Sequence, residues 1–325
     1  MPICTVGDTT GVAPYIKDGI LYLRPHKGSK KTEHLSTLGI LLAAIIWGWA
    51  FVFSRRALDA GISPPALAFG RYSIATMMLG LIFFKTLKSN LKLAHWKTGL
   101  CLGAILFLGS IMTATGLRST TPGNAAFIVT AYVVMVPVLW WLYTRQKVTT
   151  VVLVACAMCF CGIAILSLDL EDSFRLRSGD AMILLAAFIF ANYIVLINKL
   201  GRDIHHISLA FMQFVVAAIL GFIVFIITDR NFAPFASSQG AFGMLYLGVF
   251  STALGLSLQM AAQKHLPGAK VGILISTESL FGAIASIIVG YDVLSPRMIT
   301  GGLIMFIAII MPYVWGQLKG RIKSS

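Results

Sequence analysis

The sequence predicts an all-α membrane protein with ten transmembrane helices arranged as two inverted five-helix repeats. Three observations carry the prediction. Of the 325 residues 58% are hydrophobic and only 12% charged, at a mean hydropathy of +0.85, which is more apolar surface than one aqueous core buries. Ten apolar stretches reach the roughly 20 residues that cross about 30 Å of hydrocarbon at about 1.5 Å rise per residue. The second half of the chain repeats short sequences of the first in the same order.

In chain order the spans are 38–57, 65–84, 98–117, 123–143 and 149–168, then 180–199, 207–228, 240–262, 269–290 and 297–317. Turn chemistry separates them: Gly61-Ile62-Ser63-Pro64-Pro65, Ser119 to Gly123, the acidic run Asp169 to Asp172, Asn231 to Gly240, Leu266-Pro267-Gly268 and Ser295-Pro296. Spans this long argue against a β-barrel, whose strands alternate over about 10 residues. Residues 1–37 read as a polar, basic tail without a signal peptide's apolar core, 38–168 as the first repeat and 169–179 as an outer linker. The second repeat follows at 180–317 and a short tail at 318–325.

A formal charge of +14 raises the question of a nucleic-acid partner. Its distribution answers otherwise. Of 26 Lys and Arg, 18 fall in the segments on the side of the two termini and seven on the other, with Arg71 inside a helix. This positive-inside bias predicts both termini in the cytoplasm of an inner (plasma) membrane, which an even helix count permits, with the bilayer as partner and no nucleic acid. Four of the five cysteines lie in apolar stretches and read as small buried side chains. Cys156 and Cys159 form a CxxC that no second ligand pair accompanies, so no metal is expected.

The internal repeat is readable residue by residue. Leu41 to Ile46 recurs as Leu184 to Ile189, an offset of 143, and Pro65 to Tyr72 as Ile207 to Phe214, an offset of 142. Leu102-Gly103 and Pro122-Gly123 recur as Leu247-Gly248 and Pro267-Gly268, both at 145. Five helices per half force the second copy into the membrane upside down, a geometry that supports alternating access around a midplane site.

Ile46-Trp47-Gly48, Arg71-Tyr72, Gly116 through Thr121 leading into Pro122 to Phe127, and Ser251 to Leu254 running on to Gln259 stand in an order that resembles the drug/metabolite transporter superfamily, specifically the EamA-type ten-helix family, over about 38–317. Glu278 to Ser295 is similar to that family's helix-nine pattern, with Ser279 where proline is usual and Asp292 where glutamate is usual. Losing proline removes one cause of a helix kink. The resemblance implies export or exchange of small organic metabolites, amino acid-like or amphiphilic, through a cavity lined by helices 1 to 4 and 6 to 9.

Ionisable side chains within a span cost about 2.5–3.5 kcal/mol on insertion scales and are functional candidates by default. Glu278 falls near mid-membrane in helix nine, where a carboxylate can hold an amine or a coupled proton. Arg71 lies about 7 residues past Pro64, roughly 10 Å below the outer surface, where a guanidinium can clamp a carboxylate or phosphate. Their bland alternatives are a protonated, hydrogen-bonded carboxyl and an ion pair that fixes helix packing. Gln213 occupies the repeat position of Arg71. Trp47, away from the interfacial belt, is a candidate cavity wall. Asn124, Tyr132, Asn192 and Gln259 complete the candidate cavity, though such residues are more often interhelical glue. Small residues at every fourth position, Gly99 with Gly103, Gly268 with Gly272, and Gly282, Ser286, Gly290, predict close helix approach.

No HExxH, Walker loop or strand-linked GxGxxG is present, so neither catalytic residues nor a cofactor are expected. The reading that follows is a secondary carrier or facilitator of a small-molecule solute, most simply in efflux, with a homodimer as one assembly it allows. An importer or exchanger, for example of an adenosyl compound, and a non-transporting receptor or scaffold are the alternatives.

Overall fold

Bilayer-length apolar runs flanked by Ser/Thr-Pro caps dictate the architecture of the computed structural model, which describes residues 14–17, 20–23, 30–145, 149–169, 175–201, 204–263, 265–266 and 274–322. The repeat anchor Pro267-Gly268, the stripe Gly268 with Gly272 and the start of span 269–290 lie outside these residues.

The first half holds α1 (Lys30–Asp59), α2 (Pro64–Ile82), α3 (Phe84–Asn90), α4 (Trp96–Gly116), α5 (Pro122–Thr130), α6 (Tyr132–Thr144) and α7 (Thr150–Ser167). In the second come α8 (Ser178–Leu200), α9 (His206–Thr228), α10 (Ser238–Leu245), a π-helical segment (Tyr246–Leu254), α11 (Gly255–Gln263), α12 (Glu278–Val289) and α13 (Pro296–Ile322). Two small antiparallel hairpins, Pro14–Lys17 with Ile20–Leu23 and Leu168–Asp169 with Arg175–Leu176, are the strands among the described residues. The first helix begins at Lys30, earlier than the tail boundary at 37 expected from hydropathy, because polar residues extend a helix beyond lipid; Thr37 there donates to the Glu33 carbonyl.

Three helix starts share one device. Ser63 and Thr121 each accept a backbone N–H three residues on, and Pro64 and Pro122 take the first helical position, where no N–H is needed. Ser295 accepts from Met298 N–H ahead of Pro296 in the same way.

Among the described residues eight helices are long and apolar enough to span a membrane, and two more apolar helices, Thr150–Leu166 and Leu274–Val289, are shorter. The chain is therefore an all-α, multi-pass membrane protein. Its exposed side chains include Leu81, Ile227, Ile288 and Leu303, positions that water disfavours and lipid accepts. The main packing pairs join the two halves: α2 with α9, α7 with α13, α4 with α8 and α9, α1 with α11 and α12, and α5 with α12. Glycines bring backbones together at these crossings. A side chain at Gly99 would strike Met212, and one at Gly103 would strike Val216 and the Gln213 carbonyl. Gly290 does not belong to such a ridge: with φ +86° it ends α12, and nothing lies within 4 Å of where its Cβ would be.

Three spans are interrupted, each for a local reason. Between α5 and α6 the ladder breaks at Ala131, where Thr130 donates to the Ala126 carbonyl and Pro137 lacks the N–H that would reach Val133. Thr252 donates to the Leu247 carbonyl five residues back, in register with the π-helical widening. Helix nine breaks at Thr277, where Thr277 donates to the Leu274 carbonyl at 2.6 Å and Ser279 to the Ser276 carbonyl at 2.8 Å. Hydroxyls competing for carbonyls thus interrupt this helix without proline.

Candidate functional site

Glu278 is placed at the start of α12 rather than inside a continuous helix, because the break at Thr277 precedes it. It is only 6% exposed, and the Tyr132 hydroxyl, at the start of α6, lies near its carboxyl. Gly48 of α1 backs the same turn; a Cβ there would fall 2.7 Å from Gly282 N and 2.9 Å from the Glu278 carbonyl. Glycine at 48 is what admits α12 this close.

Trp47, the neighbour of Gly48, turns its indole N–H to the Ser251 carbonyl at 2.7 Å, and Tyr246 donates to the Ile46 carbonyl at 2.9 Å. Both bonds pin α1 to the π-helical segment, and a side chain at Gly255 would collide with the Trp47 indole nitrogen. From α2, Arg71 donates through Nε to Thr252 Oγ1 at 2.7 Å and through Nη2 to Ser251 Oγ at 3.3 Å, with its guanidinium 5.6 Å from the Tyr72 ring centroid. Among the described residues no carboxylate forms a salt bridge with Arg71. Trp47 and Tyr132 pack on one apolar cluster of Ile40, Ala262, Leu266 and Ile275. The three interruptions thus bring Trp47, Arg71, Tyr132 and Glu278 into one connected centre, with a cation and a carboxyl that do not pair with each other.

The other candidates divide. Gln213 is 1% exposed and accepts from the Tyr193 hydroxyl. Its neighbour Phe214 meets Tyr72, the neighbour of Arg71, at 5.8 Å between ring centroids, so the helices that carry the two matched repeat positions pack together, while Arg71 and Gln213 themselves bond to different elements. Asn192 donates to the Phe188 carbonyl of its own helix at 2.8 Å and accepts from Tyr143 at 3.2 Å. Asn124 is 9% exposed in the first turn of α5, roughly 12 Å along the helix from Tyr132. Gln259 is half-buried on α11. Ser251 and Thr252 were legible only as family markers; their role as the acceptors that seat Arg71 depends on the π-helical turn. Among the described residues no group of three His, Cys, Asp or Glu is placed to hold a metal ion, and Cys101, Cys156, Cys159 and Cys161 are free thiols.

A multi-pass helical bundle with polar groups gathered at broken helices is an architecture that membrane transporters share. The profile of the EamA-like transporter family, in the drug/metabolite transporter superfamily, matches residues 34–168 and again 177–314, and the chain belongs to that family. An Archaeoglobus fulgidus protein described as an uncharacterized transporter is 27% identical over 299 residues, covering 90% of each chain. A Methanothermobacter thermautotrophicus protein of the same description is 24% identical over 316 residues, again covering 90% of each. One solved crystal structure aligns with a TM-score of 0.63 at 12% identity, covering 87% of this chain and 97% of its own, a likeness of fold alone.

Proposed function

We propose that the protein is a secondary carrier that moves a small organic metabolite, amino acid-like or amphiphilic, out of the cell across the inner (plasma) membrane. Ten spans, in two inverted five-helix repeats with both termini cytoplasmic, alternate access to a site around Glu278, Tyr132, Trp47 and Arg71. The observation that carries this reading is the meeting of those four residues at three interrupted helices, since freed backbone groups and intramembrane charges gather where a solute is bound. The unpaired cation and carboxyl suit a solute with a negative and a positive end. Support for the repeats comes from the packing, whose pairs α2 with α9 and α7 with α13 join corresponding helices of the two halves.

The test is flux of a labelled metabolite panel in proteoliposomes under imposed gradients. The native protein moves at least one solute, and Glu278→Gln lowers its flux at least tenfold, a loss on the scale of one charge-assisted bond of about 1.4 kcal/mol or more. Depletion against accumulation in the lumen separates export from uptake. A folded protein that moves no member of the panel would refute the carrier reading.

A further inference from the structure

Away from the candidate site, at the end of the bundle remote from the start of α1 at Lys30 and the end of α13 at Ile322, a continuous run of polar bonds joins five helix ends. Arg55 of α1 donates to Asp59 at 2.9 Å and to the carbonyls of Leu117 at 2.6 Å and Thr120 at 3.2 Å, beyond α4. Thr120 donates to Asp180 in the first turn of α8. Asp59 accepts from the Tyr291 hydroxyl at 2.8 Å, and the next residue, Asp292, accepts from Gly123 N–H at the start of α5 at 3.0 Å and from Ser286.

Three of these bonds cross between the halves matched by the family profile: Thr120 to Asp180, Tyr291 to Asp59 and Gly123 to Asp292. Each crossing has a glycine that makes it fit. A Cβ at Gly123 would lie 2.6 Å from the Asp292 carboxylate, and one at Gly116 would lie 2.7 Å from the Gly179 carbonyl beside the Thr120 crossing. The left-handed Gly290 turns the chain toward Tyr291. Backbone laid on backbone offers no interlocked side chains to unthread, and water can replace rim hydrogen bonds when they part.

We propose that this run is a gate: it holds the bundle closed on the face away from Lys30 and Ile322 and parts when a solute passes between the site and that face. The idea rests on the carrier reading, since a gate presupposes a path. Its test needs no known solute. Asn124, buried in the first turn of α5 beside the Gly123 that bonds Asp292, is replaced by cysteine in a protein whose five native cysteines are removed, and its reaction with a membrane-impermeant maleimide is timed from each face of sealed vesicles.

Tyr291→Phe, which keeps the ring and deletes the hydroxyl, and Asp292→Ala should each raise labelling from the gate face several-fold to about tenfold, as loss of one closing bond shifts the closed population. Labelling from the opposite face should not rise. An unchanged rate in folded Tyr291→Phe protein overturns the gate, and so does an equal rise from both faces, which reports general loosening. Should Asp292→Ala fail to fold, Tyr291→Phe decides alone. Gated labelling in a protein that moves no solute would count against the carrier alone, because the maleimide itself then shows that a path to residue 124 opens and closes.

Discussion

Tyr291 lies outside the spans, and its phenol is pushed up to about 12 from the ordinary 10.0, first by burial and then by the hydrogen bond and negative charge of Asp59, with Arg55 and Arg56 pulling the other way. Because the folded value is the higher one, the neutral phenol is favoured by folding. Its contribution is whole below pH 10 and is lost as pH rises from 10 through about 12. Replacement by phenylalanine should lower stability slightly at neutral pH and flatten the alkaline fall in that window. Thermal unfolding in detergent across the pH range checks this; parallel curves for the two proteins would contradict it. Arg71 teaches a different point, since its bonds to Ser251 and Thr252 use hydroxyls and leave its charge without a carboxylate salt bridge among the described residues.

Between elements, the approach of α1 to α12 rests on Gly48. Adding one methyl there places carbon 2.7 Å from Gly282 N and from Phe281 Cβ, atoms that cannot yield without moving a helix. Overpacking of this kind costs about 1–3 kcal/mol. Gly39, about two and a half turns earlier on the same helix, would bring its Cβ only to 3.8 Å from Leu258 Cδ2, an ordinary contact. The same glycine-to-alanine change should therefore destabilise the protein at 48 and stabilise it by about 0.5–1 kcal/mol at 39, where only the helix propensity changes. Unfolding midpoints of the two variants against the native protein measure the opposite signs. Both glycines look alike in sequence. What separates them is a partner backbone from the other half of the chain, which no local pattern encodes.

Across the whole molecule, the location of Lys and Arg predicts that the two termini share a face. Single cysteines replacing His95 and His265 should then label from the side of the termini, and cysteines replacing Arg230 and Ser295 from the opposite side. Labelling of 95 and 265 from different faces would break the topology. Membrane-length helices were legible because apolar run length is a property of consecutive residues. The break ahead of Glu278 was not, because the usual proline is Ser279 and the interruption comes from the Thr277 and Ser279 hydroxyls. Trp47, Arg71, Tyr132 and Glu278 were each suspect as polar or aromatic groups inside a span, and the fold alone reveals that they converge while Asn192 turns to its own backbone. The polar run at the far end stayed hidden because Asp59 and Tyr291 are 232 residues apart and each looked like an ordinary helix-end residue.

Gly290 carries a last implication. Its φ of +86° combines with open space on every side of the missing Cβ, so the demand at this position is for handedness and not for room. An L-alanine would strain there although it touches nothing, whereas its mirror image would settle into the same bend and stiffen it. Chirality, rather than crowding, fixes the direction in which the chain leaves α12.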